Sequence, residues 1–336
     1  MEAAELTANR ELNPFERLGD LARRHPPIAA SGVLVVIALI LAITHGIHAL
    51  AQATVNGLPP GSIYALGAVG LTLVYGILKL VNFAQGDFLT FGAYMAFLVN
   101  VTWGLPLILA IAFAMAATAV MSIALEKVMW GPMRSKGAGV LQLLLMSIGL
   151  AFMLRAVITY FWSTEIRQLD VNVNDSVTFL GLRMGRTELL VVVVGFVVLT
   201  AVALMLRYTL LGKRMRAIAD DIELAETAGI DTRRVIYATW IFAGALAALA
   251  GVLDASITNL KPEFGFELLL PIFATVVLGG IGDAFGALAA GIVLGIVIEW
   301  STLVLPDRWK VEIGFVALII ALIIRPQGIF GQEKGI

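Results

Sequence analysis

VLQLLLMSIGLAFMLRAVITYFW, residues 140–162, is a run of twenty-three residues with one charge, Arg155, and no proline. As a helix at 1.5 Å per residue it measures ~35 Å, enough to cross a hydrocarbon core of ~30 Å. Its apolar residues follow one another without the period-two alternation of a membrane β-barrel strand. Nine more apolar segments flank it, at 31–50, 60–78, 88–102, 105–125, 188–207, 235–257, 268–280, 284–304 and 311–324. Two of these, 268–280 and 311–324, reach only ~20 Å, so they are either extended by their flanks or broken. The expected fold class is an all-α polytopic membrane protein of about ten transmembrane helices.

Composition agrees. Of 336 residues, 60% are hydrophobic and 14% charged, and the mean hydropathy is +0.93. A soluble domain carries about 25% charged residues, so a soluble enzyme is excluded. There is no cysteine, which removes disulfides, thiolate metal sites and thiol nucleophiles. The net charge of −1 gives no footprint for nucleic acid. No G-x-x-x-x-G-K-[ST] loop occurs, so the chain holds no P-loop ATPase of its own. His25, His45 and His48 lack the carboxylate or thiol neighbours of a metal site, and none is expected.

Charge asymmetry gives an orientation. With the amino terminus inside, the inward segments hold sixteen basic residues and the outward ones six, with both termini cytoplasmic. Residues 1–30 form an N-terminal cytoplasmic segment, read either as an interfacial amphipathic helix opened by Asn13, Pro14 and Glu16 or as a solvated tail. The transmembrane body is 31–331, followed by a cytoplasmic tail at 332–336. The inward loop 208–234 is amphipathic. Ile218, Ile222, Ala225 and Ala228 fall near one face, Arg216 and Glu226 lie among the charges, and Gly229 is a helix stop. Such a loop helix is what a peripheral motor would grip; a solvated loop without a partner is the plainer reading.

Here the chain resembles the permease subunits of ABC importers, whose coupling helix carries a loose E-A-A…G pattern matched by Glu226, Ala228 and Gly229. Two further stretches are similar to the LivH-type permeases of branched-chain amino acid importers. One runs from Gly57 through Tyr64 to Asn82-Phe83-Ala84-Gln85-Gly86-Asp87-Phe88, against the family's N-F-A-H-G-E-F turn. The other comprises Gly279-Gly280-Ile281-Gly282-Asp283 and Arg325-Pro326-Gln327-Gly328. Gln85 and Asp87 stand where His and Glu are common, which leaves the solute open among branched-chain amino acids, urea, short amides and other small solutes. The resemblance implies no cofactor in this chain and ATP-Mg in partner subunits. It also implies partners: a second, LivM-like permease, two ATPase subunits, a periplasmic or lipid-anchored binding protein, and the lipid of a bacterial inner membrane. A stand-alone secondary transporter or channel is the contrasting class.

Asp87 and Asp283 each follow a glycine ahead of an apolar helix. They are expected to be equivalent helix caps near an inner gate, or ordinary caps. Asn82, Gln85 and Tyr64 are expected on the translocation path; interhelical hydrogen bonding explains them equally. Glycines at four-residue spacing, Gly57/Gly61 and Gly291/Gly295, indicate close helix packing. Arg155, Asp254 and Glu299 sit in the outer third of their spans. They form either an ion-pair cluster at the outer mouth or separate snorkelling charges.

Overall fold

The computed structural model describes residues 26–171, 175–179, 181–280 and 282–324. The expectations for the segment before Pro26 and for the Arg325–Gly328 motif and tail lie outside these residues. Leu50 closes one compact unit and Ala51 opens a second.

In the first unit, α1 (Pro26–His45) starts on a proline, whose missing N–H costs nothing at a helix's first position. Val33, Val35, Val36, Leu39, Ile40 and Ile43 are all exposed apolar residues. Gly46, at φ +90°, ends the helix earlier than the expected residue 50. The next helix, α2 (Ile47–Leu78), has 32 residues and runs straight through Pro59 and Pro60. The expectation that Pro60 opens a span is therefore corrected. Adjacent prolines cost a helix two hydrogen bonds, but here the flanking turns are held by burial on several sides.

The chain then leaves helix. Lys79 adopts φ +50°, and residues 79–84 form a bend whose Leu80, Asn82 and Ala84 are buried. It continues as α3 (Gln85–Phe97), a π-helical turn (Leu98–Thr102), and α4 (Leu107–Leu125). A second π-turn (Glu126–Trp130) and α5 (Gly131–Ser135) lead to α6 (Val140–Trp162). The connection after α6 carries an antiparallel hairpin, β1 (Ser176–Phe179) with β2 (Leu182–Gly185). After α7 (Arg186–Tyr208), the expected single coupling helix is two: α8 (Leu210–Asp220) and α9 (Ile222–Thr227). Asp221 separates them because its carboxylate caps the Glu223 and Leu224 N–H groups. Then come α10 (Thr232–Ala255), α11 (Phe264–Gly279), α12 (Ala284–Ser301) and α13 (Lys310–Ile324).

Ten of these helices fall on the ten expected segments. Six are long and apolar enough to cross a membrane unaided: α2, α4 with its continuation to Ser135, α6, α7, α10 and α12. The protein is an all-α polytopic membrane protein.

Its centre is packed backbone to backbone. A Cβ placed on Gly57 would stand 2.6 Å from the Ile296 Cα, and one on Gly291 would stand 2.6 Å from the Ala65 N. The spaced glycines thus bring α2 and α12 into direct contact. At one end, the buried rings of Trp130 and Trp240 stack at 6.0 Å. Buried Glu126 accepts from the Trp240 Nε1 at 2.7 Å and pairs with Arg134.

The bend at 79–84 is held by side chains. Asn82 Oδ1 accepts the Ala84 N–H at 3.1 Å, and Ser147 Oγ on α6 accepts the Phe83 N–H at 3.1 Å. Ser147→Ala leaves that N–H without its acceptor, a cost of about 1–3 kcal/mol. The expected result is a lowered thermal midpoint for the detergent-purified subunit, with Ser147→Thr close to the parent; equal midpoints for Ala and parent would remove the clip.

Candidate functional site

The helix ends converge on a cavity of about 580 Å³. Asn56, Pro59, Pro60 and Tyr64 line it from α2, Glu188 from α7 and Asp254 from α10. Phe264, Glu267, Leu268 and Pro271 enter from α11, Ile298 and Glu299 from α12, and Lys310 from α13. Ile257, Thr258, Asn259 and Lys261, from the connection after α10, complete the wall. Three prolines lie in that wall, each removing one backbone N–H from its helix. The volume lies within the ~300–1,000 Å³ usual for small-molecule sites.

Charge in the cavity is mostly paired. Lys310 Nζ meets Glu299 Oε1 at 2.6 Å, and Lys261 Nζ meets Glu267 Oε1 at 2.6 Å. Glu188 Oε2 accepts the Gly185 N–H at 2.9 Å at the start of α7. Asp254 Oδ2 accepts the Thr258 hydroxyl at 3.1 Å.

Of the three expected mouth charges, the structure brings two together. Asp254 and Glu299 share the cavity, but Arg155 is elsewhere, with its Nε 3.3 Å from Asp87 Oδ1. The three-charge cluster is corrected on that point. Asp87 is not the equivalent of Asp283 either. Asp283 caps α12 by accepting the Phe285 N–H at 2.9 Å, whereas Asp87 is the third residue of α3, 1% exposed, and caps nothing. Both follow glycine, but the bend at 79–84 carries the start of α3 into the bundle, where a carboxylate needs a cation rather than water.

Among the expected path residues, Tyr64 lines the cavity. Asn82 and Gln85 are fully buried in the bend, with Asn82 Nδ2 donating to Gln85 Oε1 at 3.5 Å. Gly86 packs on Gly265 of α11, and Gly282, at φ +94°, turns the chain beside Gly76.

In the 208–234 loop, Ile218 and Ala225 are buried, while Ile222 and Leu224 are exposed. Arg216 donates to the Leu206 carbonyl, and Glu226 accepts from Thr232 Oγ1 at 2.7 Å. Ala228 and Gly229 are exposed, and Gly229, at φ +82°, stops α9. Sequence reasoning missed Lys79. Its ammonium donates to the Gly76 carbonyl at 2.9 Å and to the Ala219 carbonyl of α8 at 3.1 Å, tying the bend to this loop. Its only sequence signal was a lone basic residue at a helix end.

A bundle of membrane-crossing helices, a solute-sized polar cavity and an exposed helical pair outside the apolar segments together describe a transport subunit. The chain belongs to the family described as branched-chain amino acid transport system, permease component, whose model matches residues 53–322. It is 31% identical over 297 residues to the high-affinity branched-chain amino acid transport system permease protein BraD of Pseudomonas aeruginosa, covering 84% of this chain and 96% of that one. It is 30% identical over 307 residues to the LivH permease protein of Escherichia coli, with the same coverage. A probable LivH permease of Methanocaldococcus jannaschii matches at 28% over 81% of this chain and 90% of its own.

Proposed function

We propose that this chain is the membrane-spanning subunit of an ATP-driven importer for branched-chain or related amino acids, working by alternating access. In this reading it lies in a bacterial inner membrane with both termini and the α8–α9 pair in the cytoplasm. It pairs with a homologous permease, two ATPase subunits that bind ATP-Mg, and a binding protein that delivers solute to the cavity. One observation carries this: α10, 24 residues long, has the exposed α8–α9 pair at its start and the cavity residue Asp254 at its finish. At 1.5 Å per residue that is ~36 Å, so a push on the pair has a rigid rod leading to the solute.

The α8–α9 pair suits a motor contact. Ile222 is 40% and Leu224 67% exposed, apolar side chains on the same short helix as the exposed Glu223 and Glu226. Lys79 couples the same pair to the bend before α3. Replacing Ile222 and Leu224 together by Asp is expected to abolish recovery of the ATPase subunits with the tagged chain, while the chain still reaches the membrane. Undiminished co-purification would remove the coupling role. Uptake by the chain alone, without ATPase partners, would make it a secondary transporter instead.

A further inference from the structure

The charges around the cavity do not balance. Four carboxylates face it, Glu188, Asp254, Glu267 and Glu299, against two ammonium groups, and each lysine already holds a glutamate at 2.6 Å. Asp254 is 8% exposed and receives one hydroxyl, from Thr258; among the described residues no cation pairs with it. A buried ionised carboxylate is costly until a cation joins it. The cation that fits this position comes from outside the chain, through the cavity that Asp254 lines.

We propose that Asp254 is the subsite for the primary ammonium group of the transported solute, with Leu268, Pro271 and Ile298 forming the apolar wall for its side chain. This rests on the reading of the cavity as part of the solute path, and it names which end of the molecule the permease itself recognises. A solute with an ammonium and a branched apolar tail satisfies Asp254 and the wall together. A carboxylate without an ammonium meets an excess of negative charge. Selection for the amine is then made inside the membrane subunit as well as by any delivering protein.

The absence of cysteine permits a direct test. In membrane vesicles holding the assembled transporter, Asn56→Cys places the chain's one thiol on the cavity wall, and its rate of maleimide labelling is read on this chain. Isopentylamine and leucine are expected to slow labelling, and 4-methylpentanoate is expected not to. Adding Asp254→Asn is expected to raise the half-protecting amine concentration about tenfold or more, the scale of a lost charge-assisted hydrogen bond. If isopentylamine fails to protect, or protects equally with Asn at 254, the subsite is overturned. Should Asp254→Asn not reach the membrane, Asp254→Glu carries the same test: a shifted half-protecting concentration supports the subsite, and an unshifted one overturns it. Leucine uptake by the same vesicles separates the two proposals. Amine protection through Asp254 without leucine uptake keeps the subsite and discards the amino acid assignment; uptake with Asp254-independent protection does the reverse.

Discussion

Arg155→Met will destabilise the subunit by roughly 3–5 kcal/mol, because it removes one partner of a buried ion pair and leaves the Asp87 carboxyl buried without a cation. The pair joins α6 to the third residue of α3, and the two side chains are 19% and 1% exposed. Asp87 Oδ2 has no hydrogen-bond partner among the described residues, and the guanidinium is the one cation paired with that carboxylate. The guanidinium also lies 4.7 Å from the Phe266 ring centroid and 5.8 Å from that of Phe152, in reach of cation–π attraction. Arg155→Met with Asp87→Leu is expected to recover most of the loss, since replacing both members of such a pair by apolar residues of similar size is often neutral or better. Thermal unfolding of the detergent-purified subunit reads both variants. A single variant as stable as the parent, or a double variant no better than the single, would show that the pair does not hold α3 in place.

Gly265→Ala will be the most damaging single-methyl addition. Its Cβ would overlap the Gly86 carbonyl, and Thr90 Oγ1 stands 2.5 Å away. Thr90 cannot simply turn aside, because its hydroxyl accepts the Gly265 N–H at 3.0 Å. Overpacking a core costs about 1–3 kcal/mol where side chains can yield, and a backbone carbonyl yields least. The expectation is loss of folded protein, seen as aggregation on size-exclusion chromatography. Gly149→Ala, in the middle of α6 with nothing within 4 Å of the added atom, is the matched control and should behave as the parent. A well-behaved Gly265→Ala would mean that α3 and α11 can separate at their tightest contact without consequence.

Hydropathy and helix length were enough to read the ten apolar segments, because each helix must satisfy its own backbone in lipid. The same reasoning failed wherever one helix depends on another. Pro59 and Pro60 look like a helix start locally, and only the packing of α2 against α12 shows why the helix continues through them. The glycine spacing had pointed to that packing, but not to its partner. Gly86-Asp87 and Gly282-Asp283 read alike, yet one aspartate caps a helix and the other is an internal ion-pair member. Nothing within a few residues of either distinguishes them. Arg155 finds Asp87 across 68 positions, a distance along the chain at which an unaligned sequence carries no pairing signal. Asp254 and Glu299 were legible as rare charges near span ends, whereas Lys261 and Lys310, outside the spans, looked like ordinary loop residues until the cavity brought them in.

The glycine contact between α2 and α12 has a mechanical consequence. With only glycines and the Ala65 methyl between the two backbones, sliding either helix by one residue would drive Ile292 or Ile296 into the space that Gly57 and Gly61 keep clear. Trp300 Nε1, donating to Thr54 Oγ1 at 2.8 Å, fastens the same two helices at their cavity end. The pair is therefore a stiff plank that carries Asn56, Tyr64 and Glu299 as one fixed wall of the cavity. Asp254 lines the same cavity from the last turn of α10, the helix that begins beside α8 and α9. A movement of α10 relative to that plank would change the cavity's width.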